Sequence, residues 1–171
     1  MSMAPRSLAV PSGRVEAESV PTGERIVHLY PGELFVSSEG HLVSTVLGSC
    51  VSVFLFDPVR RVGGANHFLL PFWIGGDRSS PRFGSTAMEL LLERLEAIGC
   101  AAADLTAKVF GGASVFGSPP DGASIGQKNV RIARRFLEER RIPVVGESVG
   151  GFRGRKIIAE TGSGNVWVKP L

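Results

Sequence analysis

Two residue types in this chain can serve as nucleophile and base, and both are scarce. There are two cysteines, Cys50 and Cys100, and three histidines, His28, His41 and His67. One of each lies near the two ends of the stretch GSCVSVFLFDPVRRVGGANH, residues 48–67. A cysteine attacks as its thiolate, so it needs a base or a cation beside it, and histidine is the side chain suited to that task near neutral pH. The stretch reads as two β-strands around an Asp-Pro turn. With the turn at residues 57–60, Phe56 faces Arg61, Phe54 faces Gly63, Ser52 faces Ala65 and Cys50 faces His67. Directly opposed residues have Cβ atoms about 4.5–5.5 Å apart on one face, a spacing that suits a sulfur–imidazole hydrogen bond. Gly63 and Ala65 leave room beside the pair for a substrate. A bulge at Gly63–Gly64 would turn His67 to the other face.

The remaining candidates carry less. Cys100 follows the end of a helical pattern and precedes three alanines, the setting of a small buried hydrophobe. Cys50 follows Gly48–Ser49 at a strand break, where its backbone is accessible. His28 and His41 lie in strands with no matching partner. GGAS (111–114) lacks a following GK[ST] triplet, and GGFRGRK (150–156) lacks phosphate-loop spacing and a helix after it; both read as tight turns. No cluster has zinc-like spacing, so neither a metal nor a cofactor is expected.

The elements that must position Cys50 and His67 follow from periodicity and turn signals. Residues 1–23 are rich in Pro, Ser and Gly without periodicity and read as a flexible tail. A single domain over residues 24–171 follows. ERIVHLY, ELFVSS, HLVSTVLG, VSVFLF, GGANHFLL, LTAKVF, IPVVGES, KIIAE and NVWVK are β-prone runs. Pro31–Gly32 marks a turn, and KIIAE and NVWVK form a hairpin around TGSG. Residues 71–84 read as a long polar loop. STAMELLLERLEAIG is a helix with Met88, Leu91, Leu92, Leu95 and Ile98 at helical spacing, a Thr86/Glu89 capping box and a stop at Gly99. GQKNVRIARRFLEERR is a second, with Val130, Ala133, Phe136 and Leu137 on one face. Seven to nine strands against two helices, without regular βαβ alternation, predict an α+β fold whose mixed sheet is largely antiparallel and covered by helices.

Composition narrows the function. The chain has 171 residues, 43% of them hydrophobic and 20% charged, with a net charge of +3, which is globular and mildly basic. Arginine pairs are scattered rather than interleaved with aromatics, so nucleic acid is not an expected partner. No apolar run approaches the ~20 residues of a membrane span. The first twenty residues have no apolar signal core, and the two cysteines show no disulfide-like pattern, so the cytoplasm is the expected compartment.

Taken in order, VLGSCVSVFLFDP, GGANHFLLP, RFGSTAMELLLERL, AKVFGGASVF and IGQKNV resemble the successive motifs of the CheD family, chemoreceptor glutamine deamidases of chemotaxis. YPGELFV is similar to the family's opening strand. The resemblance runs from about Ile26 to Trp167. It implies a single-domain, three-layered α/β sandwich, similar in its Cys-His site to the catalytic domain of the cytotoxic necrotizing factor toxins. It also implies a hydrolase that converts receptor glutamines to glutamates with release of ammonia. Cys50 takes the place of the family nucleophile and His67 that of its base. A family threonine six positions before the cysteine falls on Ser44, with Thr45 one residue later. Strand parity favours Ser44 as the residue that holds the imidazole, and residue type favours Thr45. The implied partners are cytoplasmic receptor helices and, where present, a CheC-type phosphatase that competes for the same surface. An adaptor that binds such a phosphatase without catalysis is the alternative. Phe72, Trp73 and Phe116 are candidates for an apolar docking surface.

Overall fold

The protein is described by a computed structural model that covers residues 26–120 and 122–171. The expected tail, residues 1–23, and the proposed domain start at residue 24 lie outside the described residues. Among the described residues, nine strands and two long helices follow in the order β1 (Ile26–His28), β2 (Leu34–Ser37), β3 (Leu42–Leu47), β4 (Val51–Asp57), β5 (Val62–Asn66), α1 (Gly84–Ala97), β6 (Thr106–Gly111), α2 (Ile125–Glu139), β7 (Val144–Val149), β8 (Arg155–Glu160) and β9 (Val166–Pro170). Every β-prone run of the sequence forms a strand.

The strands form two sheets. One has the order β1-β3-β8-β9 and the other β2-β5-β4-β6-β7. Two neighbouring pairs, β1–β3 and β6–β7, are parallel; the other pairs are antiparallel. The expected hairpin of residues 155–170 is β8–β9. The sheets stack through Val43, Leu47, Ile157, Ala159 and Val168 on one side and Phe54, Ala65 and Phe110 on the other. The helices cover the outer face of the five-stranded sheet, where Val51, Val53, Leu55, Phe68 and Val109 meet Leu91, Leu95, Ala133 and Leu137. The result is three layers, sheet on sheet on helices, in accord with the expected α+β sandwich.

Strand β4 shows why one strand serves two cores. VSVFLFD has apolar residues at almost every position, the pattern of a strand buried on both faces. Its odd positions, Val51, Val53 and Leu55, face the helices, and Phe54 and Phe56 face the second sheet.

The helices follow their sequence periods with two corrections. In α1, Met88, Leu91, Leu92 and Leu95 are buried, but Ile98 is exposed because it sits at the C-cap, beyond the last full turn. The expected Thr86/Glu89 capping box does not form. The helix begins at Gly84, upstream of Thr86, and the Thr86 hydroxyl donates to the Arg78 carbonyl. The capping box is in α2, where Ser124 Oγ accepts from the Gln127 N–H and Gln127 Oε1 accepts from the Ser124 N–H.

Candidate active site

The expected register of the β4–β5 hairpin needs correcting. Asp57 pairs with Val62 and Phe54 with Ala65. The loop is therefore residues 58–61, one position later than expected. Asp57 closes the strand because its Oδ1 accepts the N–H groups of Val59 and Arg60, the usual way an aspartate fixes a turn two residues on. The register runs without a slip to the Val51–Phe68 bridge. Ser52 is thus opposite His67, and Cys50 is opposite Leu69. The shift is two residues, so Cys50 and His67 keep a common face as diagonal neighbours, about 7–8 Å apart in the backbone.

His67 is 2% exposed, and its environment is built from three strands. Its backbone is clamped by the turn at Pro31–Gly32, with the His67 N–H on the Glu33 carbonyl at 3.0 Å and the Gly32 N–H on the His67 carbonyl at 2.8 Å. Its Nδ1 lies 2.8 Å from Thr45 Oγ1, which in turn donates to the Leu29 carbonyl at 2.6 Å. The hydroxyl proton is thereby committed to Leu29, so the bond to His67 must be Nδ1–H donating to Thr45. This fixes the tautomer and leaves the lone pair on Nε2. Nε2 is buried and has no hydrogen-bond partner, the Cys50 sulfur included. Burial depresses the imidazole to about 4, against the opposing pull of the Leu29 carbonyl and the Glu33 charge. At neutral pH His67 is a neutral base with a free nitrogen.

Cys50 sits in the connection between the sheets, after β3 ends and before β4 begins, and is half-buried. Burial pushes its thiol up, only partly offset by its own backbone N–H, so at rest the two side chains are a thiol and a neutral imidazole rather than an ion pair. The GGAS loop grips this connection. The Gly112 N–H donates to the Cys50 carbonyl and the Ala113 N–H to the Gly48 carbonyl, both at 2.9 Å. Gly111 has φ +100°, and a Cβ there would lie 2.2 Å from the Cys50 oxygen. Glycine at 111 is required by conformation and by space together. Gly111 is the last residue of β6 and residues 112–114 run on as irregular backbone, with the turn itself at 115–116, so GGAS is not the expected tight turn; the stretch instead holds the Cys50 backbone.

Of the two hydroxyl candidates, Thr45 meets His67 and Ser44 does not. Thr45 points between the sheets along with Val43 and Leu47, and Ser44 faces the opposite side of β3. Strand parity would favour Ser44 only if one continuous strand ran from residue 44 to Cys50. The chain instead leaves one sheet at Leu47 and enters the other at Val51, and the turn between them resets the alternation.

Phe116 is fully exposed, Phe72 and Trp73 are 55% and 42% exposed, and core packing does not account for them. Phe116 adjoins Val115, whose methyl approaches Gly48, so it lies on the rim of the Cys50 turn. Phe72 and Trp73 follow the His67 strand, with the Arg78 guanidinium over the Trp73 ring at 4.6 Å. Sequence reasoning missed Asn129, which is fully buried on α2 and donates to the Ser49 and Leu69 carbonyls. The signal was present: a polar residue interrupts the apolar face that carries Val130, Ala133 and Leu137. Among the described residues no group of three or more His, Cys, Asp or Glu side chains gathers as a metal site, and no helix is long and apolar enough to cross a membrane.

A family model described as CheD chemotactic sensory transduction matches residues 69–170. A protein of Anaeromyxobacter dehalogenans, named probable chemoreceptor glutamine deamidase CheD 1, is 48% identical over 87% of this chain and 86% of its own length. The chain belongs to the CheD family. Relatives named probable chemoreceptor glutamine deamidase CheD occur in Trichlorobacter lovleyi, 47% identical over 81% of this chain and 86% of that one, and in Sulfurimonas denitrificans, 43% identical over 83% and 92%. Among solved structures, the hypothetical protein YfiH of Bacillus licheniformis aligns with a TM-score of 0.46 at 15% identity, over 73% of this chain and 59% of that one, a likeness too slight to bear on function. The resemblance to CheD drawn from five short motifs is thus matched along most of the chain.

Proposed function

We propose that this CheD-family chain is a protein-glutamine deamidase that converts glutamines on the cytoplasmic helices of chemoreceptors to glutamate. Cys50 is the nucleophile, His67 the base and Thr45 the residue that orients the base. The observation that carries this reading is the chain Leu29 carbonyl–Thr45 hydroxyl–His67 Nδ1, which leaves a bare, buried Nε2 on the face that Cys50 shares.

The reaction follows from that arrangement. Nε2 takes the Cys50 proton as sulfur attacks the side-chain carbonyl carbon of glutamine. The negative oxygen that forms is met by backbone N–H groups of the 48–50 turn. The imidazolium, held in orientation by Thr45, gives its proton to the departing amine, and ammonia leaves a thioester. Neutral His67 then takes a proton from water as that water attacks the thioester, and glutamate and the free thiol are released. A buried base with a depressed pKa suits this cycle, since it is unprotonated at rest and gains its proton only when sulfur has begun to bond to carbon.

A receptor glutamine is presented on a helix, so recognition requires an apolar surface around a narrow site. The exposed Phe116, Phe72 and Trp73 are the residues proposed for it, and the same surface would take a CheC-type phosphatase in competition with the receptor. This substrate puts the enzyme in the cytoplasm.

The test is incubation of a receptor cytoplasmic fragment with wild type and with Cys50→Ser, followed by peptide mass spectrometry and a binding isotherm. Wild type should produce the mass gain of amide-to-acid conversion at chosen glutamines. Cys50→Ser should produce none and should still bind, because a serine hydroxyl is far harder to ionise than a thiol of nearly equal size. Mass gains with Cys50→Ser would remove Cys50 as nucleophile. Binding by wild type without any mass gain would favour the adaptor.

A further inference from the structure

The side chain of Asn129 is 0% exposed, on a helix face otherwise lined by Gly126, Val130, Ala133, Phe136 and Leu137. Its Nδ2 donates to the Ser49 carbonyl at 3.0 Å and to the Leu69 carbonyl at 2.9 Å. Both amide protons are therefore used, and its Oδ1 is buried with no partner. The opposite amide assignment would set Oδ1 against two carbonyl oxygens, so the orientation is fixed by chemistry. A buried acceptor without a donor is destabilising. An apolar residue at this position would avoid that burden and continue the stripe.

What the asparagine holds explains its presence. Ser49 and Leu69 lie on the two segments that carry the reacting groups, one residue before Cys50 and two residues after His67. The Ser49–Cys50 peptide is trans, so its C=O and N–H point in opposite directions. Asn129 draws the carbonyl toward α2. The Cys50 N–H is thereby turned toward the space between the sheets, and it has no carbonyl acceptor among the described residues. An N–H in that position, beside the attacking sulfur, is where the oxygen of a tetrahedral adduct would arrive.

The geometry points to Asn129 as a positioning residue for the deamidation: it locks the Ser49–Cys50 peptide so that the Cys50 N–H is preorganised to receive the oxyanion, and it ties that peptide to the strand of His67. This rests on the deamidase reading above. Asn129 touches neither thiol nor imidazole in this account, so its removal should slow the step that builds an oxyanion and spare steps that do not.

Asn129→Ala and Asn129→Leu test it, the second keeping much of the side-chain volume without a donor in case the first does not fold. On a receptor fragment, kcat should fall by about 10- to 1000-fold, the range for losing one oxyanion donor or its alignment, with KM changed by less than about threefold. Alkylation of Cys50 by iodoacetamide in the same preparations should stay within about twofold of wild type, because displacement at a saturated carbon develops no oxyanion. Wild-type kcat in a folded variant would overturn the inference. Equal losses in kcat and alkylation would also overturn it, since Asn129 would then act on the thiol, and so would failure of both variants to fold. A wild type that alkylates at Cys50 but never deamidates would instead overturn the deamidase reading, and this inference with it.

Discussion

Strand β4 has a cysteine near each end, and the two ends differ in how they treat polar groups. At the Asp57 end, the buried carboxylate accepts from the Val59 and Arg60 N–H groups and from the Arg60 guanidinium, which also reaches Asp104. Burial opposes the Asp57 charge, but these donors outweigh it and hold the carboxyl below its ordinary range. Cys100, packed nearby in the helix-side core, has its thiol pushed up by burial and by the Asp57 charge. Here polar groups serve to close a turn. At the Cys50 end, Ser52 Oγ, His67 Nε2 and Asn129 Oδ1 are the three buried side-chain atoms that lack a partner among the described residues. Native proteins satisfy nearly all such groups. Their concentration around one thiol is what the proposed active site would require, stability given up where a reaction is carried out, and the Asp57 end shows no such cost among the described residues.

The largest expected contrast between the two ends is removal of the base. His67→Ala should lower kcat for deamidation by about 10²–10⁴, the usual contribution of a positioned general base. It should also slow iodoacetamide alkylation of Cys50 and leave Cys100 unchanged. Peptide mapping of the labelled protein reads both thiols at once. An unchanged Cys50 rate would mean that His67 does not take the thiol proton, and the two ends of β4 would be chemically alike.

A smaller effect separates the two hydroxyls of β3. Thr45→Ala removes the acceptor that fixes the imidazole and should cost at least about tenfold in kcat, equivalent to ~1.4 kcal/mol for one oriented hydrogen bond. Ser44→Ala, on the far side of the strand, should stay within about twofold. Steady-state rates of the two variants on one receptor fragment decide between them, and a larger loss for Ser44→Ala would refute the assignment.

A third effect is on stability. His67 titrates near 4 in the folded chain against 6.5 for the ordinary side chain, so between those values the unfolded chain binds more protons. Stability is therefore undiminished above about pH 6.5 and falls as pH drops toward 4. Urea unfolding at pH 7 and pH 4.5 should show a decline greater in wild type than in His67→Gln by about 2–3 kcal/mol. The same depressed value keeps His67 unprotonated, so on the proposed mechanism kcat/KM should show its acid limb near pH 4 rather than near 6.5. Identical pH dependence in the two proteins would show that His67 is not held neutral by burial.

Sequence alone determined the strand and helix inventory, because apolar alternation, helical spacing and Gly/Pro turns are local signals that survive without the fold. It also singled out Cys50 and His67, since a cysteine and a histidine near the ends of one hairpin share a face at any even register shift. The register itself needed the structure: nothing local reveals whether Asp57 belongs to the turn or pairs with Val62, and its side chain decides that by capping the loop. The choice between Ser44 and Thr45 was likewise beyond the sequence. Alternation predicts a face only within one strand, and the chain changes sheets between Leu47 and Val51. Asn129 is 79 residues from Cys50 in the chain and reaches its carbonyl environment only when α2 packs on the five-stranded sheet. A local pattern registers a polar residue on an apolar face, whereas the carbonyls that require it come from two segments that tertiary packing alone brings together.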